Sequence, residues 1–455
     1  MAKQNNPRRK RATRNPDHAR RTHVAAPSDE AIEQRLNELV KPAVYAEVAY
    51  YRRLGLRSRV LNLPVMVAVV LALIWRRVPG VCTLQRMLAQ ERLLWTRPTR
   101  VSQPALSERF VTFPAVLFER VLYRVLARLP ARWQARSHPQ PDILAKVSQR
   151  FAACYALDGT VLEALFRKLK SLQGDPDVPL AGQLGAVVDL VSHLPVKLWW
   201  EDDPLRNDKA VLPRLLAWLP PNCLLVFDLG YFAFTFFDAL TERNCWFVTR
   251  QRNKTSYRVE HVLINRPRLR DRIVYLGNYR SNPSQHPVRL IEVYLGHRWQ
   301  SYLTNVLDPQ RLSVVEVVCL YPYRWHIETV FLLVKRLFDL AYLWVGSING
   351  VQLQVWATFL FYAILIDLCD EVAEVLQLPL AQISVEMVYR SLYFYAQACA
   401  QGCTDPAPVF LASQARLLGI VKRQRSRAGP DLAHQVRQAL LTTIPPPEPV
   451  SPPAT

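Results

Sequence analysis

Two aspartates and one helical stripe are the residues of this chain whose types and spacing could do chemistry. Asp158 closes the hydrophobic run Phe151 to Leu157 and opens Asp158-Gly159-Thr160. Asp228 closes Cys223 to Phe227 and opens Asp228-Leu229-Gly230-Tyr231. A carboxylate at the end of a core strand is held rigidly yet faces the cleft above the sheet, so two such strands side by side can bring two carboxylates to one divalent cation. Asp is also an ordinary turn former, and either residue alone reads equally as structure. The third group is Tyr321, Arg324, Glu328 and Lys335. At ~100° per residue the last three fall about 300°, 340° and 320° round from Tyr321. One narrow polar stripe then carries a phenol, a guanidinium, a carboxylate and an ammonium, while Ile327, Val330, Phe331, Leu333 and Val334 face a core. A solvated stripe with an Arg–Glu pair one turn apart gives the same pattern.

The elements that must position these groups change in character along the chain. Residues 1–24 hold eight Lys/Arg and one Asp and read as a disordered basic tail. Residues 25–145 read as helical throughout. The uncharged run Val60 to Trp75 is shorter than the ~20 residues of a spanning helix and contains Asn62 and Pro64, so it reads as a buried helix. Ser102 is a natural N-cap for Gln103 to Phe110, with Pro104 in the first turn. Leu106 and Phe110 share a face while Gln103, Ser107 and Arg109 point elsewhere, as in the recognition helix of a helix-turn-helix or in any small helical bundle. From about 146 the texture is α/β, with strands at Phe151 to Leu157, Gly185 to Leu190, Pro195 to Trp200 and Cys223 to Phe227. Residues 250–300 hold eleven Lys/Arg against three acidic residues and read as a basic β insertion, with strands at Arg272 to Leu276 and Val288 to Leu295. Helical signal returns at about 311, and the Pro-rich end reads as disordered.

Composition bounds the partners. The 455 residues carry 58 Lys+Arg against 37 Asp+Glu, a formal net charge of +21, which calls for a polyanion such as nucleic acid or an anionic membrane surface. The eight cysteines show no CxxC pair and sit mostly in apolar contexts, which points away from a zinc site and toward a reduced, cytoplasmic setting. The basic N-terminus is followed by no apolar stretch, so no signal peptide is expected.

On these residues the chain resembles the insertion-sequence family four transposases. The spacing Tyr-x2-Arg-x3-Glu-x6-Lys is that family's signature, and Tyr321, Arg324, Glu328 and Lys335 match it without a gap. The contexts of Asp158 and of Val226-Phe227-Asp228-Leu229-Gly230-Tyr231 are similar too, as are Tyr302-Leu303-Thr304-Asn305 and Gln352 to Thr358. The resemblance runs from about Arg57 to Arg425. One departure is Leu229, where many members carry an arginine.

The resemblance implies an α/β ribonuclease-H-like core with a β insertion, flanked by helical N-terminal and C-terminal regions. The divisions expected are a basic tail (1–24), a DNA-binding helical region (25–145), the first part of the core (146–250), the insertion (251–310), the catalytic helix and the rest of the core (311–375), a helical C-terminal region (376–440) and a Pro-rich tail (441–455). It implies Asp158, Asp228 and Glu328 as a DDE triad holding two Mg²⁺ ions, for which Mn²⁺ may substitute, with Tyr321, Arg324 and Lys335 on DNA phosphates. The partners implied are double-stranded DNA, as element ends and target, and a second copy of the chain in the DNA complex, with no membrane. Trp299, 22 residues before Tyr321, stands where some relatives stack a tryptophan on a flipped base; Trp246 is its rival. Gln103 and Arg109 are the candidate base-reading residues. Glu201-Asp202-Asp203 reads as a solvated loop, Glu163 and Asp189 as structural, and His326 as packed or solvated. A catalytically silent DNA-binding relative, a nuclease without strand transfer and a membrane protein are the alternatives.

Overall fold

The structure, a computed structural model, describes residues 30–443 apart from 58, 77, 79, 138, 162–181, 204–206, 339, 341–346 and 423–430. The basic tail, Glu163 and the Pro-rich end lie outside the described residues.

The chain is organised on a nine-stranded mixed sheet of order β3-β2-β1-β4-β5-β9-β8-β7-β6. Its first half comprises β1 (Ala153–Val161), β2 (Gln183–Asp189), β3 (Pro195–Glu201), β4 (Cys223–Phe227) and β5 (Trp246–Arg250). β1, β4 and β5 run parallel; beyond β1, β2 is antiparallel to them and β3, antiparallel to β2, runs in their direction again. β4 is Cys-Leu-Leu-Val-Phe and buried along its whole length, the pattern of a central strand covered on both faces. The second half is an antiparallel meander of β6 (Tyr257–Arg266), β7 (Leu269–Leu276), β8 (Val288–Leu295) and β9 (Arg298–Thr304), with β9 returning to pair with β5.

Strand alternation splits the sheet's side chains between two cores. Ala156, Leu224, Val226, Val248, Ile291 and Tyr302 belong to one, which also takes Ile327, Val330, Phe331 and Val334 of the Trp325–Arg336 helix. Leu157, Leu225, Phe227, Phe247, Leu290 and Leu303 belong to the other, packed with the Leu212–Trp218 and Phe234–Glu242 helices. The face a side chain takes therefore decides which helices it can meet.

Eight helices among the described residues precede the sheet, from Glu30–Ala46 to Asp142–Ser148. The Val60 to Trp75 run forms a buried helix over Leu63–Trp75, capped by Asn62, whose side chain accepts from the Val65 N–H at 3.2 Å. It packs against the 29-residue helix Ile348–Leu376, which runs through the first core. That long helix carries Asp367 and Asp370 into the interior, where Arg35, Arg132 and Arg136 pair with them and with Glu371. No helix among the described residues is long and apolar enough to cross a membrane. All eight cysteines are free thiols.

Two sequence expectations need correction. β1 does not stop at Asp158 but continues to Val161, because Asp158, Gly159 and Thr160 pair with Ala186, Gly185 and Leu184 of β2. The polar stripe does not begin in an α-helix: Tyr321–Arg324, with Pro322, is a 3₁₀ turn, and the α-helix starts at Trp325.

Candidate active site

Leu157 and Phe227 are register partners on the parallel strands β1 and β4, and the residue that follows each is an aspartate, Asp158 within β1 and Asp228 just past the end of β4. Asp158 shares its face of β1 with Ala156 and points toward the Trp325–Arg336 helix. Asp228 caps the turn after β4, its carboxylate accepting from the Gly230 N–H at 2.8 Å. Glu328 lies in the first turn of the helix. Arg324 joins the two elements: its guanidinium donates to Glu328 at 2.8 Å and reaches Asp158 at 3.4 Å, with only 7% of the residue exposed. At the other end of the helix Lys335 Nζ donates to the Thr160 hydroxyl at 2.5 Å. The stripe is thus turned onto β1, because the apolar side of the same helix is anchored in the core beside it.

Burial is the largest influence on Asp158 and pushes its carboxyl up to about 7; Asp228 and Glu328 add repulsion, while the Gly159 N–H and Arg324 pull the other way. Burial also raises the Tyr321 phenol, against the pull of Arg324 and Arg250. Asp158 is therefore a poorly solvated carboxyl whose charged form the Gly159 N–H and Arg324 only partly favour.

Three carboxylates with few other donors suit a hard divalent cation in ligand type. Their present placement does not form a cage: among the described residues no three His, Cys, Asp or Glu side chains are gathered closely enough to hold a metal ion. The Arg324 guanidinium lies between Asp158 and Glu328.

Beside the carboxylates lies a group that sequence reasoning missed. Arg250 ends β5, and its guanidinium sits between two rings, 4.8 Å from the centroid of Tyr302 and 5.3 Å from that of Tyr321. The two rings meet edge to face at 5.5 Å. Trp325 is 57% exposed at the start of the helix, with the Arg324 guanidinium 4.9 Å from its ring. The signal for Arg250 was its position 22 residues after Asp228 at the end of an apolar strand, but which rings flank it depends on the β5–β9 pairing. Arg252, two residues on, donates to the Leu229 carbonyl at 3.3 Å and lies over the Phe232 ring, so a guanidinium stands beside the second aspartate's turn although residue 229 has no charge.

The remaining expected residues lie elsewhere. Trp299 alternates to the opposite face of β9 from Tyr302, where it meets Tyr294 at 5.7 Å and the Arg270 guanidinium at 5.0 Å. The structure does not bring it to the carboxylates. Trp246 is packed, bonding Asn222 through its indole N–H and lying under Arg311. Ser102 caps the Gln103–Thr112 helix, and Leu106 and Phe110 are buried. Gln103 is exposed and bonds Ser107, but Arg109 turns inward, donating to the Leu61 carbonyl at 3.2 Å and the Tyr51 hydroxyl at 2.9 Å and stacking on Phe113. His326 is packed between the rings of His193 and Tyr323. Glu201 and Asp202 pair with Arg214 and the Trp200 indole, and Asp189 caps its own turn through the Val191 and Ser192 N–H groups.

Residues 181–364 match the family model described as the transposase DDE domain, a span that contains Asp228 and Glu328 and begins after Asp158. A stretch of 170 residues, 35% of this chain, is 24% identical to the Sinorhizobium fredii protein y4zB, provisionally named a transposase. The chain spans about half the length of that curated relative, 46%. The cryo-EM structure of a piggyBac transposase synaptic complex with hairpin DNA aligns with 92% of this chain and 84% of its own, at 10% identity and a TM-score of 0.39.

Proposed function

We propose that the chain is a DDE transposase that binds the ends of an insertion sequence, cleaves phosphodiesters there and joins the freed 3′-OH ends to target DNA. The observation that carries this reading is that Asp158 and Asp228 follow register partners on adjacent parallel strands while Arg324 bridges Asp158 to Glu328 of the neighbouring helix. The transposase-domain match over residues 181–364 and the net charge of +21 support it. The strand order β3-β2-β1-β4-β5, with β2 alone antiparallel to the other four, supports a ribonuclease-H-like core, and the meander β6 to β9 supports the reading of a β insertion before the last catalytic helix.

In this reading Asp158, Asp228 and Glu328 are the residues that would hold Mg²⁺, which lowers the charge barrier for attack on a phosphodiester. The chain's own groups do the rest. Asp158 has to give up the proton that burial favours before it can serve as a ligand, and Arg324, once displaced from the carboxylates, is free to fork onto a phosphate. Lys335 adds positive charge along β1. Two ends must be joined, so the active assembly contains a second copy, working on the DNA of a bacterial cytoplasm or nucleoid. Strand transfer from a pre-cut end, made from the DNA flanking the coding region, tests the reading. Joined product that requires Mg²⁺ is the expected result. Nicking without any joining would favour a nuclease, and binding without either reaction a silent relative.

A further inference from the structure

Resting on the transposase reading, we infer that Arg250 is a phosphate-gripping residue of the DNA site, held ready by the Tyr302–Tyr321 pair. Aromatic stacking uses the faces of a guanidinium and leaves its in-plane N–H donors available. Other arginines around the site are engaged: Arg324 on Asp158 and Glu328, and Arg252 on the Leu229 carbonyl. Among the described residues the Arg250 guanidinium has no hydrogen bond or ion pair, although it is partly withdrawn from water. A half-buried cation with open donors calls for an anionic oxygen.

Location selects a nucleic-acid phosphate as that anion. β5 runs parallel beside β4, so Arg250 ends its strand on the same edge where Asp228 follows β4. Through Tyr302 it lies on the sheet face that packs the Trp325–Arg336 helix, and the Tyr321 phenol feels Arg250, Arg324 and Asp228 together. Arg298, next but one along the same face of β9 from Gln300, adds positive charge near Tyr302. A phosphate placed beside Tyr321 would meet two parallel donors from Arg250 without disturbing the Arg324 contacts. The tyrosines fix the plane of the fork, which limits the entropy lost on binding.

The test is a neutral-phosphate scan. A short duplex carrying the element end is made with one methylphosphonate at a time, and binding to the full-length protein is measured in EDTA for wild type, Arg250→Ala, Arg250→Lys and, as a control for lost charge, Arg258→Ala on exposed β6. The expected result is one position where neutralisation weakens wild type and Arg258→Ala by roughly tenfold but leaves Arg250→Ala unchanged. Arg250→Lys keeps charge but loses the fork, and retains only part of that sensitivity. A scan of the same shape in Arg250→Ala and wild type, offset uniformly or not at all, overturns the inference and makes Arg250 a spacer between two rings. A scan of wild type with no sensitive phosphate overturns it as well. Because no divalent metal is present, a protein that never cuts DNA still yields a scan, so failure of the transposase reading is distinguishable from failure of this one.

Discussion

Replacing Asp158 by Asn should make the metal-free protein more stable while removing a proposed ligand. The carboxyl is raised in the folded chain from 3.8 to about 7, chiefly by burial and by Asp228 and Glu328. For a raised acid the favourable contribution is complete below the unfolded value and is lost as pH climbs through the folded one. Asp158 therefore costs stability progressively between about pH 4 and pH 7, and above that the cost is full. The displacement corresponds to roughly 4 kcal/mol at most. The side chain keeps 18% of its surface exposed, and an amide still has to find partners in the same place, so about 2–3 kcal/mol is the expected gain. For a chain of 455 residues that amounts to a rise of roughly 2–3 °C in Tm. Thermal melts of wild type and Asp158→Asn in EDTA, from about pH 4.5 to pH 8, read it directly. The difference should be near zero at the acid end and open as pH rises. Millimolar Mg²⁺ should then raise the Tm of wild type above pH 7 and leave the variant unmoved, since a cation competes with the proton for the same oxygens. A variant that melts no higher than wild type at pH 8, or a gap that does not change with pH, would refute the placement of Asp158 in a crowded, poorly solvated carboxylate cluster.

Four further variants test particular side chains. Arg324→Lys should lower strand transfer by roughly tenfold or more, because an ammonium cannot reproduce the fork, with melting nearly unchanged. Arg136→Ala should cost about 3–5 kcal/mol in a denaturant melt, as it removes one of the guanidinium groups that pair with the buried Asp367 and Asp370; a loss below 1 kcal/mol would show that Arg132 and Arg35 suffice. Arg109→Ala should cost about 1–3 kcal/mol through its Leu61 and Tyr51 bonds and weaken end and random DNA alike, whereas Gln103→Ala should leave the melt intact and reduce only the preference for end DNA.

The acidic positions were legible because each sits where local pattern is strong. β4 is an apolar run that ends at Asp228, and the helix of Glu328 shows a clean polar stripe opposite Ile327, Val330 and Phe331. The continuation of β1 beyond Asp158 was not legible, since Gly159-Thr160 reads locally as a turn and only the ladder with β2 holds it extended. Arg109 and Trp299 show the same limit. Helical spacing separates Arg109 from the Leu106–Phe110 face, but a long side chain can still reach back to Tyr51, 58 residues away in sequence. Spacing from Tyr321 places Trp299 near the site, yet strand parity against Tyr302 puts it on the other face. Arg250 becomes visible only once β9 is paired with β5 and the two tyrosines close around it.

The central claim is that Asp158, Asp228 and Glu328 act together on a metal, and the most direct measurement is nicking and binding on the same end-containing duplex for the three single alanine variants. Each variant should lose Mg²⁺-dependent nicking while its affinity in EDTA stays near that of wild type, because affinity comes mainly from phosphate contacts elsewhere. Wild-type nicking by any one of them would contradict the account at that residue.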